Sequence, residues 1–269
     1  MQTVKVSKDG HIAYITLNRP EKLNAINLQV WRDLEKATSE LAADDSIRCA
    51  IMRGEGRAFS SGIDISPENE LFATLAAAED KSALLQQARR MVVELERCFA
   101  GVEALPFPII AACHGYVLGV GMELALCADF ILASEETVFA IPEVTLGLLP
   151  DMGGNQRLAR FVGLPRAKEL IYTGRRITAN EALKMGLVNR VLPTPEELFE
   201  EARRVADEIA GNAPLAVKAA KLAINFCYAP KRDQMAFNAE LAAGCLISDD
   251  VKEAVVAKLE KRKPDFKGR

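Results

Sequence analysis

The sequence is poor in histidine, a frequent metal ligand and general base. It contains only two histidines, His11 and His114, which lie too far apart in the chain to suggest a metal site, and no Cys/His cluster supplies further ligands. The Gly-x-Ser-x-Gly motif that presents the nucleophile of α/β-hydrolases is also absent. These absences argue against a metal centre and against a Ser-His-Asp triad.

Excess positive charge, long apolar runs and paired cysteines are missing as well. The 34 basic and 37 acidic residues give a net charge of −3, so we expect no nucleic-acid partner. No apolar stretch reaches the ~18 residues of a membrane span. The six cysteines are scattered without a C-x-x-C pair, as expected for buried thiols in a reducing compartment. Because Met1 to Gly10 has a polar strand pattern instead of a signal peptide's apolar run, we expect a cytoplasmic protein.

What the sequence does contain is an alternation of strand and helix signals. Its 269 residues are 49% hydrophobic, enough for one larger α/β domain with a helical extension. Short apolar runs at 12–17, 49–52, 109–113 and 130–133 predict strands, and the spacing of apolar residues predicts helices at 27–43 and within 68–104. Beyond about residue 195 only helical patterns remain. We therefore predict an α/β core at 1–195 and a helical region at 196–269.

Two segments share a design in which a glycine-bearing loop follows an apolar strand. The first is Gly56–Ile65 and the second is His114–Leu124. Glycine lets a ligand approach the main chain closely, and a helix that starts after such a loop presents free N–H groups. The dinucleotide fingerprint fails because its third glycine is replaced by Leu124, and no P-loop ending is present. The glycines could serve close packing alone, but two such loops favour a pair of backbone donors that forms an oxyanion hole.

Several ordered motifs resemble the enoyl-CoA hydratase/isomerase (crotonase) family. The matching segments are Ile15–Ile26, Ser61–Asp64, Gly119–Glu123, Pro142–Glu143, Gly153–Leu158 and Glu260–Phe266. Together they extend over nearly the whole chain. The resemblance implies an acyl-CoA enzyme with a spiral of ββα repeats, a C-terminal helical region that forms a homotrimer or homohexamer, and no cofactor beyond the CoA of the substrate.

The resemblance also assigns backbone and substrate-binding roles. The oxyanion donors would be the N–H groups of Ile63 and Val120, although the family usually has glycine at the second position. The strip from Ser61 to Ile65 would run beside the pantetheine arm of CoA. The substrate-binding residues implied in this way are Ser61, Asp64, Ile65 and Gly119.

Three acidic residues are candidates for proton transfer. Glu123 and Glu143 both lie in unusually apolar surroundings, where desolvation raises a carboxyl pKa toward neutrality. In the family's hydratases this pair adds water to a 2-enoyl thioester, one glutamate activating the water and the other helping to protonate C2. Simpler interpretations are a helix-dipole role for Glu123 and a surface turn for Glu143.

Asp151 favours a second reaction. It stands eight positions after Glu143, where hydratases usually have glycine, and this spacing resembles the Δ3,5-Δ2,4-dienoyl-CoA isomerases. There Glu143 and Asp151 would exchange protons at C2 and C6 of a dienoyl thioester in fatty acid β-oxidation. Asp151 could instead cap the helix that follows it. From the sequence we favour the isomerase slightly over the hydratase, and both over a non-catalytic family member that binds acyl-CoA or RNA.

Overall fold

A computed structural model of the protein describes residues 2–66, 69–70, 80–227 and 249–268. The strands are β1 (Val4–Asp9), β2 (Ile12–Leu17), β3 (Cys49–Gly54), β4 (Ile109–Cys113), β5 (Tyr116–Leu118), β6 (Phe130–Ser134), β7 (Val138–Ala140), β8 (Ile177–Thr178) and β9 (Arg190–Leu192). The α-helices are α1 (Leu28–Ala42), α2 (Lys81–Glu103), α3 (Val120–Ala125), α4 (Gly154–Val162), α5 (Leu164–Thr173), α6 (Ala179–Met185), α7 (Pro195–Ala210), α8 (Pro214–Asn225) and α9 (Asp249–Leu259). Pro20–Lys22 and Glu143–Leu146 form short 3-10 helices.

The main sheet has the strand order β1-β2-β3-β4-β6-β9. Its first pair is antiparallel and the other pairs are parallel, so the polypeptide must cross over between successive parallel strands. The predicted α/β architecture is confirmed, as are the strands expected at 12–17, 49–52, 109–113 and 130–133. Part of the helix expected within 68–104 lies outside the described residues, and the described part is α2.

Strand β4 shows why a continuous apolar run predicted a central strand. All five of its residues are buried. Ile109, Ala111 and Cys113 face the larger core, whereas Ile110 and Ala112 face a second core on the other side of the sheet. That second core is closed by α7, whose buried side chains include Leu198 and Ala202. Because both faces are covered, no residue of β4 needs to be polar.

A second sheet was not expected from the sequence. The glycine-bearing segment His114–Leu124 was predicted to begin as a loop, but Tyr116–Leu118 within it forms β5, which pairs with β7 in a three-stranded sheet of order β5-β7-β8. Strands of two or three residues are too short to show a period of two, so nothing in the local pattern distinguishes them from a loop.

Helix α8 follows α7, in the region predicted to be helical. The domain boundary at residue 195 stays a prediction, as does trimer formation. Among the residues that the structure describes, no helix is both long and apolar enough to cross a lipid bilayer.

Candidate active site

The two glycine-bearing loops lie side by side. Ser60 and Val117 form a parallel β-bridge, and the amide N of Leu118 donates to the carbonyl of Ser60 at 3.0 Å. Ile63 and Val120 each follow this bridge by three residues, one on each loop. The contact therefore places the two amides predicted to be oxyanion donors on neighbouring, parallel pieces of backbone.

Glycine is required at two points of this contact. Gly62 has a φ of +99°, and a Cβ added there would lie 2.9 Å from the carbonyl oxygen of Leu118. Gly119 has a φ of +50°, and a Cβ added there would lie 2.6 Å from Oε1 of Glu143. A side chain at either position would push the loops apart or displace the glutamate.

Neither amide has a hydrogen-bond acceptor among the residues that the structure describes. Val120 is the first residue of α3, so its N–H has no acceptor within the helix. In the described part of the chain, the N–H of Ile63 donates to no backbone or side-chain oxygen. An oxyanion hole needs two such donors beside one cavity, and this role for Ile63 and Val120 stays a prediction.

An ion pair holds the first loop in place. The carboxylate of Asp64 is buried and lies 2.9 Å from Nη2 of Arg19, and it also accepts the amide of Ser66 at 3.0 Å. Although burial disfavours its charge, the hydrogen bonds from Ser66 and Arg19 lower the pKa of Asp64. Because its oxygens already have protein partners, Asp64 can position the loop as well as line the substrate site.

Glu123 is completely buried on α3. Its Oε1 accepts the amide of Met152 at 3.1 Å and that of Gly154 at 2.8 Å. Its Oε2 has no hydrogen-bond partner among the described residues. Burial, followed by the charge of Glu143, raises the pKa of Glu123 to about 8 even though the two amides oppose this rise.

Glu143 begins the 3-10 helix Glu143–Leu146 and is also buried. Its Oε2 lacks a partner in the described chain, as does that of Glu123. Burial raises the pKa of Glu143 to about 7, and the charge of Asp151 adds to the rise. The surface-turn interpretation of Glu143 is therefore wrong, because the carboxyl faces the interior.

Asp151 is more exposed than the two glutamates. Burial of its carboxyl against neighbouring atoms still raises its pKa above the ordinary value. It is not a helix cap, because α4 begins after Gly153, and no side chain caps that helix end. The capping interpretation of Asp151 is therefore wrong.

One cavity of about 780 Å³ joins these groups. Its lining includes every site residue predicted from the sequence except Glu123: Ser61, Ile63, Asp64, Ile65, Gly119, Val120, Glu143 and Asp151. Glu123 lies behind the wall at Met152, whose amide it accepts. Within the described ranges, no group of three or more His, Cys, Asp or Glu residues could hold a metal ion.

Sequence reasoning missed the groups that support the carboxylates. Met152 acts through its backbone amide, so its side-chain type carries little information, and Gly154 was seen only as part of a motif. Arg157 was seen only as part of a motif, yet it is buried and bonded to Glu96, Glu103 and the carbonyl of Met152. The sequence signal for Arg157 was a charge within a helical pattern, and such a charge does not identify partners 54 and 61 positions away.

The comparisons with known proteins show which family the chain belongs to. The family model described as enoyl-CoA hydratase/isomerase matches residues 7–269. The chain is 38% identical over 272 residues to the short-chain-enoyl-CoA hydratase of Clostridium acetobutylicum, with 100% of this chain and 99% of that protein covered. It is 33% identical to the peroxisomal Delta(3,5)-Delta(2,4)-dienoyl-CoA isomerase of Arabidopsis thaliana, with 99% and 96% covered.

Solved structures give the same result for the fold. The crystal structure of an enoyl-CoA hydratase from Bacillus anthracis superimposes with a TM-score of 0.90 at 36% identity, and each chain is fully covered. The crotonase-type α/β fold predicted from the motifs is thereby confirmed, and so is the expectation of an enzyme. The protein is a member of the enoyl-CoA hydratase/isomerase family.

Proposed function

We propose that the protein adds water to 2-enoyl-CoA thioesters, as in fatty acid degradation, and that Glu123 and Glu143 are its acid and base. The observation that carries this proposal is the complete burial of the Glu123 carboxyl. A fully buried carboxyl with one oxygen unpartnered among the described residues costs folding free energy. Hydration gives this carboxyl a role beside Glu143, because the reaction uses one carboxyl to activate water and a second to protonate C2.

The thioester carbonyl would accept the N–H groups of Ile63 and Val120. As water oxygen bonds to C3, the C2=C3 electron pair moves toward the carbonyl and forms an enolate, whose negative oxygen the two amides stabilise. Each such donor contributes roughly 3–4 kcal/mol to the transition state. Ser61, Asp64, Ile65 and Gly119 would border the thioester and the pantetheine arm, and the reaction requires no cofactor besides CoA.

The environment of the two glutamates supports a shared proton. Burial raises the pKa of Glu123 to about 8 and that of Glu143 to about 7, which favours one protonated and one ionised carboxyl near neutral pH. The ionised member takes the proton of the attacking water, and the protonated member supplies the proton that C2 receives. The Oε2 atoms of both residues have no hydrogen-bond partner among the described residues, so no protein group there competes for the exchanged proton.

Dienoyl-CoA isomerisation is the second candidate, and Asp151 favours it. Asp151 and Glu143 line the same cavity, so one could remove a proton from C2 while the other returns one at C6. The sequence ranked this reaction first. We now place it second because isomerisation by Glu143 and Asp151 gives the buried Glu123 no role.

Turnover assays with purified protein test both reactions. With crotonyl-CoA we expect loss of the conjugated absorbance, and Glu123→Gln and Glu143→Gln should each lower kcat by roughly 10²–10⁴-fold. Asp151→Gly is the matched control, because hydration should survive it. If a 3,5-dienoyl-CoA gains 2,4-diene absorbance while crotonyl-CoA does not react, isomerisation replaces hydration. If neither substrate reacts, the protein is a binding member of the family.

The assembly and location of the protein rest on the resemblance and on the sequence. A homotrimer or homohexamer with a cytoplasmic location stays our prediction. Neither property enters the assignment of the reaction.

A further inference from the structure

The cavity has an open side and a closed end. Among its lining residues, Ile65 is 76% exposed, Leu146 is 66% exposed and Leu149 is 62% exposed, whereas Trp31 is only 4% exposed. CoA carries charged phosphates and cannot be enclosed by an apolar space of about 780 Å³. If CoA leaves past the exposed leucines, the acyl group bound at Ile63 and Val120 must extend toward Trp31.

A separate cleft lies behind this closed end, between α1 and α2. It has a volume of about 430 Å³, and half of its lining residues are polar or charged: Arg32, Glu35, Gln87, Arg90 and Glu94. Trp31, Met91 and Leu95 line both the cleft and the cavity. These three side chains therefore separate the cavity from the cleft, and we call them the partition.

We propose that the partition ends the acyl site and restricts the enzyme to short acyl chains, with Trp31 as the specificity-determining residue. This proposal rests on the proposed function. A long chain would have to displace the partition and place its apolar end among the charged groups of the cleft. In an apolar pocket, one methylene that does not fit changes specificity by roughly 10–200-fold.

Trp31 is the fixed part of the partition. Asn27 caps the start of α1 by accepting the amide of Val30 at 3.1 Å, and the Trp31 ring stacks on Phe99 with centroids 6.1 Å apart. In the described chain the indole N–H has no hydrogen-bond partner, so packing alone holds the ring. Met91 and Leu95 are only half-buried on α2, and we expect them to adapt more readily.

Binding of saturated acyl-CoAs tests the partition without catalysis. We would measure the Kd of butyryl-CoA and dodecanoyl-CoA for the full chain by titration calorimetry. The wild type should bind butyryl-CoA at least tenfold more tightly. Trp31→Ala and Leu95→Ala, which open the partition from opposite sides, should each reduce that preference tenfold or more.

Two variants serve as matched controls. Phe99→Leu weakens the packing of Trp31 but lies in the lining of neither space, and Trp31→Phe keeps an aromatic wall while removing the unpaired N–H. Both should keep the preference for butyryl-CoA. If Trp31→Ala does not fold, Leu95→Ala carries the test, because its side chain is less buried.

The outcomes separate this proposal from the proposed function. Equal binding of the two acyl-CoAs by the wild type, or an unchanged preference in both Trp31→Ala and Leu95→Ala, overturns the partition. Chain-length selection that depends on Trp31, in a protein that does not hydrate crotonyl-CoA, overturns the reaction and supports the partition. Failure of the wild type to bind either acyl-CoA overturns both.

Discussion

Burial of Glu123 favours its proposed catalytic role but reduces the stability of the folded protein. The same burial that raises its pKa to about 8 also penalises its charged form in the folded state. The glycine at 154 keeps the carboxyl in place, because a Cβ added there would lie 2.5 Å from Oε1. The apolar run around Glu123 made its burial predictable, but its donors at Met152 and Gly154 come from a loop about 30 residues later.

We expect Glu123→Gln to stabilise the protein at alkaline pH while abolishing most activity. The folded-state pKa of about 8 lies above the ordinary value of 4.5, so the wild type is most stable, as far as this group is concerned, below pH 4.5. That stability is lost as the pH rises through 8, by an amount on the order of a few kcal/mol.

Urea denaturation of wild type and variant at pH 5 and pH 9 measures this effect. Glutamine keeps an acceptor for the two amides but has no charge to bury, so the gain should appear at pH 9 and be small at pH 5. Glu200→Gln, at an exposed position of α7, is the control and should change neither value. A variant no more stable than the wild type at pH 9 would contradict the buried-charge explanation.

At the scale of elements, Arg157 joins α4 to α2 and to the loop before α4. Its Nε lies 2.9 Å from Glu103, its Nη2 lies 3.3 Å from Glu96, and its Nη1 donates to the carbonyl of Met152 at 2.6 Å. The amide of the same Met152 donates to Glu123. One buried guanidinium therefore holds Met152, which lines the acyl cavity and whose amide supports the proposed catalytic residue Glu123.

We expect Arg157→Met to lower the free energy of unfolding by roughly 1–3 kcal/mol, because the carbonyl of Met152 loses its charged donor while Glu96 and Glu103 remain partly exposed to solvent. Without Arg157 the Met152 peptide is less well held, so Glu123 loses part of its hydrogen bonding and its pKa should rise further. The pH–rate profile should then shift its upper limb to higher pH, which lost stability alone would not cause.

Arg160→Met is the matched control for this change. Arg160 bonds to the same Glu103 at 3.0 Å but from a largely exposed position, so its loss should cost less than about 1 kcal/mol. It should leave the pH–rate profile unchanged. Arg157→Lys should restore part of the stability, because it retains the charge but not the planar group with three partners.

At the scale of the whole molecule, Lys221 links α8 to the loops that precede two strands of the main sheet. It is a buried residue of α8, and its Nζ lies 2.9 Å from the carbonyl of Phe107 and 2.9 Å from the carboxylate of Asp129. The same oxygen of Asp129 accepts the amide of Ile109, the first residue of β4, at 2.7 Å. One cation thus connects α8 to the loops before β4 and β6.

We expect Lys221→Met to destabilise the protein by about 3 kcal/mol, because it leaves the carboxylate of Asp129 partly buried with a single amide donor. Urea denaturation measures the loss. Lys218→Met, at an exposed position on the same helix, should cost less than about 0.5 kcal/mol. Equal effects of the two substitutions would show that Lys221 does not fasten α8 to the core.

Much of the molecule was determined by local pattern. The apolar run of β4, the glycines at 62 and 119, and the acids in apolar surroundings were sufficient to predict the strands, the paired loops and two buried glutamates. These features can be predicted from the sequence because burial of a strand on both faces, positive φ and desolvation each restrict which residue types can stand at neighbouring positions.

Tertiary structure alone decided how these parts meet. It placed Glu123 behind the wall and Asp151 in it, supplied Arg157 with partners on another helix, and gave Trp31 a position between two spaces. Each of these facts depends on contacts between segments that lie tens of residues apart. Local periodicity reports which face of an element is buried, but it does not report what is packed against that face.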